Sequence, residues 1–528
     1  MKNNKLLSVE NLNISFSGKS VVQNVSFSIK EGEILCLVGE SGSGKSLSAL
    51  SIMNLLPEAA TLNADQITFE ENNLLDMSED DLRLLRGREI SMIFQEPMTA
   101  LNPVMTVGKQ VAEVFEIHTN YSQKEIKQKV LYLFEKVQIP EPKRRYDEYP
   151  FQLSGGQRQR VMIAMALAMK PKLLIADEPT TALDVTVQGE ILKLIKDLQK
   201  EMGMAVLFIT HDFGVVHEMA DHVVVMKNGE IVEEGTVKAV MKKPSHAYTR
   251  KLLDSMPILS KMKKDEIEGE VFLEVSNISK IFKVKEGGFF GKTKPFHALK
   301  DVSFSLKRGE TLGVVGESGC GKSTLSRCLV RLHDFDDGVI RINGEDTTFF
   351  NKKQLKAMRR DMQMVFQDPY SSLNPRMKVG ETIGEGLKAH KVMNKKERRT
   401  FVEKLLEDVG LPKDAYNRYP HQFSGGQRQR VGIARAIALR PKLIIADEAV
   451  SALDVSVQKQ ILDLMQDLKE KYELSYLFVS HDLRVISQVS DRVLLMKDGE
   501  VVEQGSSYEI FKKPKHPYTK ELIDAIPK

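Results

Sequence analysis

The sequence predicts an α/β fold built twice along the chain, each copy with a mainly parallel sheet core, an antiparallel subdomain and a helical subdomain. Three observations predict it. Long stretches of the first half return in the second in nearly one register, short apolar runs of strand length alternate with helical segments, and each half has a glycine-rich turn between an apolar strand and a helix.

The repeat fixes the frame for everything else. QLSGGQRQRV from Gln152 returns as QFSGGQRQRV from Gln422, and IADEPTTALDVTVQ from Ile175 returns as IADEAVSALDVSVQ from Ile445. Ser154 and Ser424, Asp177 and Asp447, and His211 and His481 are all 270 positions apart, whereas Lys45 and Lys322 are 277 apart. The second half carries extra residues around GGFFGKTKPF before its apolar glycine-loop strand and a shorter segment after that strand, and such differences belong in surface loops.

Within each half the elements follow one order. Alternating strand patterns (VENLNISF, VSNISKIF) come first, then an apolar strand (ILCLVG, TLGVVG), a glycine loop and a helix. Two further apolar runs follow, LLIAD and VLFIT in the first half and LIIAD and YLFVS in the second. From Gln95 to Ser154, and from Gln367 to Ser424, the pattern turns helical and charged, which predicts the helical subdomain. PILSKMKKDEIEG, between Met256 and Gly269, is polar and lacks periodicity. The boundaries are therefore a first domain over 1–256, a linker over 257–270 and a second domain over 271–528.

Composition limits the function classes. At 528 residues, 42% hydrophobic and 28% charged, the chain is an ordinary globular sequence long enough for two cores. A net charge of +4 on 76 basic and 72 acidic residues argues against a nucleic-acid footprint. The opening MKNNKLLSVE lacks the apolar run of a signal peptide, and no segment approaches ~18 consecutive apolar residues, so a cytoplasmic chain that does not itself span a membrane is expected. Cys36, Cys320 and Cys328 have no paired or metal-ligand spacing and are expected to be free thiols.

The glycine loops supply the chemistry. Gly39, Glu40, Ser41, Gly42, Ser43, Gly44, Lys45 and Ser46 match GxxxxGK[ST], and so do Gly316, Glu317, Ser318, Gly319, Cys320, Gly321, Lys322 and Ser323. Backbone N–H groups of such a loop wrap the phosphates of ATP. Lys45 and Lys322 should reach the outer phosphates, and Ser46 and Ser323 should ligate Mg²⁺. Asp177 and Asp447 end apolar strands, where a carboxylate can hold the Mg²⁺ shell, and Glu178 and Glu448 can take a proton from the attacking water. The competing role for these acids is an N-cap of the next helix, with Pro179 in its first turn in one half.

Together these features resemble the ABC ATPase family over nearly the whole chain. The family's signature is present as Leu153, Ser154, Gly155, Gly156 and Gln157, and again as Phe423, Ser424, Gly425, Gly426 and Gln427. A Ser-Gly-Gly turn opening a helix is physically an anion site. In this family the signature of one domain closes over the nucleotide of the other. The resemblance thus implies that Ser424–Gln427 complete the site at Lys45 and Ser154–Gln157 that at Lys322, making the chain an intramolecular dimer of its two halves. It further implies that Gln95 and Gln367 sense Mg²⁺ and the attacking water, and that His211 and His481 contact the γ-phosphate. Phe16 and Phe282 become the residues that stack on adenine, with sheet core as their competing role and Phe289, Phe290 and Phe296 as competing aromatics. One departure is Ala449, where the family usually has proline; both acids and Asp454 remain, so two hydrolytic sites are expected.

The ends of the halves indicate a branch. KKPSHAYTRKLLDSMP from Lys242 and KKPKHPYTKELIDAIP from Lys512 resemble the HPYT extension of ATPases that drive peptide and nickel importers. QEPMTALNP and QDPYSSLNP are similar to the same subfamily. The arrangement resembles its fused dipeptide/oligopeptide members, including the microcin C and oligopeptide import type. That implies two integral-membrane permease subunits gripped by the helical subdomains, an external substrate-binding protein acting through them, and a peripheral position on the cytoplasmic face of the inner membrane. Dipeptides, longer peptides, peptide-like antibiotics, glutathione and nickel are the open substrate classes. No iron–sulfur centre is expected, because the cysteine cluster of some unfused relatives is missing. The competing reading is a soluble twin ATPase on ribosomes or nucleic acid; such relatives have a long basic arm between the halves, whereas this connector is short and mixed in charge.

Overall fold

The computed structural model describes residues 5–181, 183–256, 268–286, 292–368, 370–451 and 453–526. Most of the expected linker, along with Phe289 and Phe290, lies outside the described residues. The chain divides into two compact units, the first mainly 1–183 with Val187–Met256, the second mainly 257–526. Each is built on the same plan.

In the first unit a six-stranded sheet has the spatial order Glu230–Thr236, His222–Lys227, Ile34–Val38, Ala205–Thr210, Leu173–Asp177, Ile90–Ile93. All neighbours run parallel except the edge hairpin of His222–Lys227 with Glu230–Thr236. Its central strands alternate between two cores. Leu35, Leu37, Leu173, Ile175, Leu207 and Ile209 face an antiparallel sheet, while Ile34, Cys36, Val38, Leu174, Ala176, Val206 and Phe208 face the helices. A sheet covered on both faces has no polar side, which is why these strands read as continuous apolar runs.

The antiparallel sheet consists of Lys5–Phe16, Lys19–Lys30, Gln66–Phe69 and Asn72–Asn73, with Ala60–Asn63 also pairing on the first strand. Register shifts flank Leu12, and Asn11 and Asn24 take positive φ, so the inside–outside alternation slips by a residue there. The helical subdomain holds helices Val107–His118, Gln123–Lys136 and Gly155–Leu167. Ser122 and Glu125 close a reciprocal capping box on the second of these.

The second unit repeats the plan. Its parallel sheet has the order Met362–Val365, Leu443–Asp447, Ser475–Val479, Thr311–Val315, Arg492–Lys497, Glu500–Ser506. The antiparallel sheet is formed by Val271–Glu286, Lys292–Lys307, Asp337–Ile342 and Glu345–Asp346, and the helical part by Val379–Ala389, Lys395–Asp408 and Gly425–Ile437. In both units the strand leading to the glycine loop is the immediate neighbour of the strand leading to the histidine, and the latter neighbours the strand ending in Asp-Glu. Three consecutive strands therefore deliver their loops to one crevice at the carboxyl edge of the sheet. Cys36, Cys320 and Cys328 are buried and unbridged.

Candidate functional site

Each glycine loop is a wrapped turn held from inside by its own lysine. Lys45 Nζ donates to the carbonyls of Gly39 (2.7 Å) and Glu40 (2.9 Å), and Lys322 Nζ to those of Gly316 (2.6 Å) and Glu317 (2.8 Å). Helices Lys45–Ile52 and Lys322–Leu329 begin directly after Gly44 and Gly321. A side chain on Gly39 would sit 2.3 Å from the Met226 carbonyl, and one on Gly316 would sit 2.2 Å from that of Met496. The loops thus pack against the neighbouring strand with no room for a Cβ.

Beside the loop, Ser46 Oγ donates to Asp177 Oδ1 at 3.0 Å, and Ser323 Oγ to Asp447 Oδ1 at 3.2 Å. Glu178 and Glu448 follow these aspartates with φ of +45° and +50°, and each donates its N–H to the end of the adjacent strand, at Ile209 and Val479. The left-handed step turns the glutamate away from the aspartate. Neither acid caps a helix: the next helices begin at Val185 and Val455.

Glu178 Oε2 is surrounded by three donors: Gln95 Nε2 (3.1 Å), Thr181 Oγ1 (2.9 Å) and His211 Nδ1 (3.2 Å). Glu448 Oε2 meets Gln367 Nε2 (2.6 Å) and His481 Nδ1 (3.5 Å), whereas Ser451 Oγ donates to the main-chain carbonyl of Glu448 instead. The structure therefore brings together the glutamine, acid and histidine singled out in each half. Thr181 was not anticipated, because a threonine three residues past an acid gives no distinctive pattern.

The adjacent carboxyls are driven apart electrostatically. Burial pushes Asp177 up to about 6, only partly offset by the Ser46 hydrogen bond. Burial also acts to raise Glu178, but His211 and Thr181 outweigh it and bring that group down to about 2. In the second half burial raises Asp447, while His481 outweighs burial and lowers Glu448. Burial would lower His481, yet the facing Glu448 carboxylate raises it.

The signature residues form the start of a helix rather than a loose turn. Ser154 Oγ accepts from the Gln157 N–H while Gln157 Oε1 accepts from the Ser154 N–H, and Ser424 and Gln427 do the same. The second signature glycine is required by packing: a Cβ on Gly156 would lie 2.6 Å from Val187, and one on Gly426 would lie 2.4 Å from Val457.

Phe16 is half-buried against the apolar core of the first unit, and Phe282 is half-buried with His333 edge-on at 5.8 Å. Phe296 pairs across from Phe282 and is 52% exposed, so it is the freer of the two rings. The hairpin carrying Phe16 does reach the glycine loop, since a side chain on Gly44 would meet Val22.

Two features escaped the sequence reading. The hairpin glycines Gly229 and Gly499 clamp the loops through main chain: Gly229 N–H donates to Ser43 O, and its carbonyl accepts from Gln23 N–H. Gly499 does likewise with Cys320 and Lys300. The recurring NGE and DGE turns, again 270 positions apart, were the available signal. The second feature is the attachment of the tail, whose recurrence the sequence shows but whose contacts it does not. His246 and His516 cap helices Ala247–Ser255 and Pro517–Asp524 by accepting from the Tyr248 and Tyr518 N–H groups. Glu233 accepts from the Ser245 and His246 N–H groups, and Glu503 from those of Lys515 and His516, tying each tail to the sheet edge. The Tyr248 and Tyr518 hydroxyls then accept from the Glu40 and Glu317 N–H groups of the glycine loops, at 3.3 and 3.1 Å.

Paired phosphate loops, strand-end acids and signature helices on this sheet define an ATP-hydrolysing cassette. The model of the ABC transporter family matches residues 22–181 and 299–451, and that of the oligopeptide/dipeptide transporter C-terminal region matches 232–290 and 502–528. The chain belongs to the ABC transporter family, as an ATP-binding and ATP-hydrolysing subunit of the peptide-importer branch. It is 48% identical to the glutathione import ATP-binding protein GsiA of Escherichia coli K12 over 557 aligned residues, covering 99% of this chain and 89% of that one. The GsiA protein of Shigella sonnei gives the same figures. Among solved structures, the dimeric post-hydrolysis state of the ATP-binding cassette MJ0796 with ADP and Pi covers 44% of this chain and 98% of its own, at 32% identity and a TM-score of 0.40. No helix among the described residues is long and apolar enough to cross a membrane.

Proposed function

We propose that both halves hydrolyse ATP with the residues assembled above, and that the chain powers uptake of a small peptide-like solute of the glutathione class. The carrying observation is the repeated arrangement of a Ser–Asp pair beside a glutamate held by Gln and His. Lys45 and Lys322, with the loop N–H groups, bind the phosphates. One serine hydroxyl and one carboxylate per half suit Mg²⁺, which takes few protein oxygens and completes its shell with phosphate and water. Ser46 with Asp177, and Ser323 with Asp447, would hold that ion, with Gln95 and Gln367 as further ligands; it would neutralise charge developing on the phosphates.

Glu178 and Glu448 are placed to accept a proton from the attacking water. Their low proton affinity keeps them ionised at neutral pH, and the histidine and glutamine fix their direction. The signature helices Gly155–Leu167 and Gly425–Ile437 supply further N–H groups for phosphate. Phe16 and Phe282 are assigned to the adenine ring. On this reading the chain sits peripherally at the cytoplasmic face of the inner membrane, coupled to two permeases and through them to an external binding protein.

The test changes Glu178→Gln and Glu448→Gln separately in the full chain reconstituted with its permeases and binding protein. Each variant should lose a large part of ATPase activity while still binding ATP, and glutathione or a short peptide should stimulate only the wild type. Full turnover in either variant removes that half from the catalytic assignment, and recovery of the chain with ribosomes instead of membranes would refute the transport reading.

A further inference from the structure

The tail tyrosine and the loop lysine hold one and the same peptide group. Lys45 Nζ takes the Gly39 carbonyl, and Tyr248 Oη takes the Glu40 N–H; these two atoms belong to the single peptide plane joining residues 39 and 40. The second half repeats this, with Lys322 on the Gly316 carbonyl and Tyr518 on the Glu317 N–H. Because the peptide unit is planar and stiff, fixing its N–H edge fixes the direction of its C=O edge. The orientation of the carbonyl that receives the lysine is therefore set by a residue about 200 positions away, at the start of the tail helix.

We propose that Tyr248 and Tyr518 are positioning residues for nucleotide binding, and that each HPYT-type tail is a latch that orients the phosphate loop of its own half. The proposal rests on the reading of these loops as ATP sites. A lysine that turns toward a phosphate gives up part of its hold on the Gly39 or Gly316 carbonyl. The tyrosine then keeps the plane in place through the opposite edge, so that the loop need not reorganise. The latch is itself built to be rigid. Both tyrosines are buried, with Lys227 Nζ 5.0 Å from the Tyr248 ring centre and Lys497 Nζ 4.5 Å from that of Tyr518. The histidine cap and the Glu233 or Glu503 tie fix the turn from which each tyrosine projects. This accounts for the first three residues of the motif: histidine starts the helix, proline or alanine enters it, and tyrosine reaches the loop.

The test uses the full chain. Tyr248→Phe and Tyr518→Phe keep the ring and its packing but remove the hydroxyl. Binding is measured with N-methylanthraniloyl-ATP, ATPase kinetics with ATP, and amide exchange in peptides covering 38–43 and 315–320. The double variant should bind the analogue about three- to tenfold more weakly and raise KM by the same factor, with kcat within about twofold of wild type. Each single variant should speed exchange only in the loop of its own half. Glu233→Gln with Glu503→Gln, which loosens the tails without touching either tyrosine, should reproduce the rise in KM.

Wild-type affinity and wild-type exchange in the tyrosine variants would overturn the latch, and so would a loss confined to kcat or a rise in exchange throughout the unit. Lys45→Ala with Lys322→Ala sets the zero of binding. If the wild type binds no better than that zero, the ATP-site assignment fails; if it binds and the tyrosine variants match it, only the latch fails.

Discussion

Replacing Gly229 by alanine measures how firmly the first phosphate loop is tied to the sheet edge, and Gly18 provides an internal control. Both residues sit in hairpin turns with left-handed backbone, φ +88° at Gly229 and +81° at Gly18. An alanine at either place carries the same conformational cost, about 1 kcal/mol. Their surroundings differ. Nothing lies within 4 Å of a Cβ on Gly18, whereas one on Gly229 would stand 2.2 Å from the Val21 carbonyl oxygen and 2.9 Å from its carbon. Main-chain atoms cannot rotate aside, so the turn must lift by about 1 Å, and its hydrogen bonds to Ser43 and Gln23 are weakened or broken at about 1 kcal/mol each. The total comes to about 3 kcal/mol for Gly229→Ala against about 1 for Gly18→Ala. For a unit of this size that is roughly 6–12 °C against 2–4 °C in the melting of the first unit. Scanning calorimetry reads the melting, and titration with a fluorescent ATP analogue reads the loop. Gly229→Ala should weaken nucleotide binding in the first half, while Gly18→Ala leaves it unchanged. Equal melting and equal binding for the two variants would refute the clamp.

Other expectations follow from contacts already described. Gly156→Ala drives a methyl into Val187 and should destabilise the signature helix by about 1–2 kcal/mol, with Val187→Ala restoring much of it in a double-mutant cycle. Thr181→Ala removes a donor from the Glu178 carboxylate and should slow ATP turnover severalfold, whereas Ser451→Ala, whose hydroxyl serves only main chain, should stay within about twofold. Glu233 and Glu503 are held below the usual carboxylate range: burial acts to raise them, but hydrogen bonds from the tails outweigh it. With the folded group more acidic than the unfolded one, the stabilisation is complete above the unfolded value of about 4.3 and fades as pH falls through the lower folded value. The melting difference between wild type and Glu233→Gln should accordingly be constant near neutrality and shrink below about pH 4.

The chemistry of this chain was legible because it is local. A glycine loop followed by a helix, or an acid pair ending an apolar strand, occupies a few consecutive residues, and the repeat presented each twice. Strand order was not legible. LLIAD and VLFIT read as strands, but nothing in them says that Ala205–Thr210 lies between Leu173–Asp177 and Ile34–Val38, because pairing between parallel strands is settled by tertiary packing. The tail shows the same limit more sharply. Its sequence marked it as a recurring unit, yet the Tyr248 to Glu40 bond spans 208 positions, and no local pattern encodes it. The aromatic assignments stayed ambiguous for a related reason: Phe16 and Phe282 occupy strand positions where core packing and ligand stacking require the same residue type.

The left-handed backbone at Glu178 and Glu448 bears on how this protein can change. A non-glycine residue there costs about 1 kcal/mol that glycine would not incur. Glu178→Gly would relieve that backbone cost, but it would also remove the carboxylate on which Gln95, Thr181 and His211 converge, and with it the proposed proton acceptor. The strained backbone at these two positions is therefore offset by what their side chains hold, and glycine there should bring none of the stability that relief of the backbone alone would give.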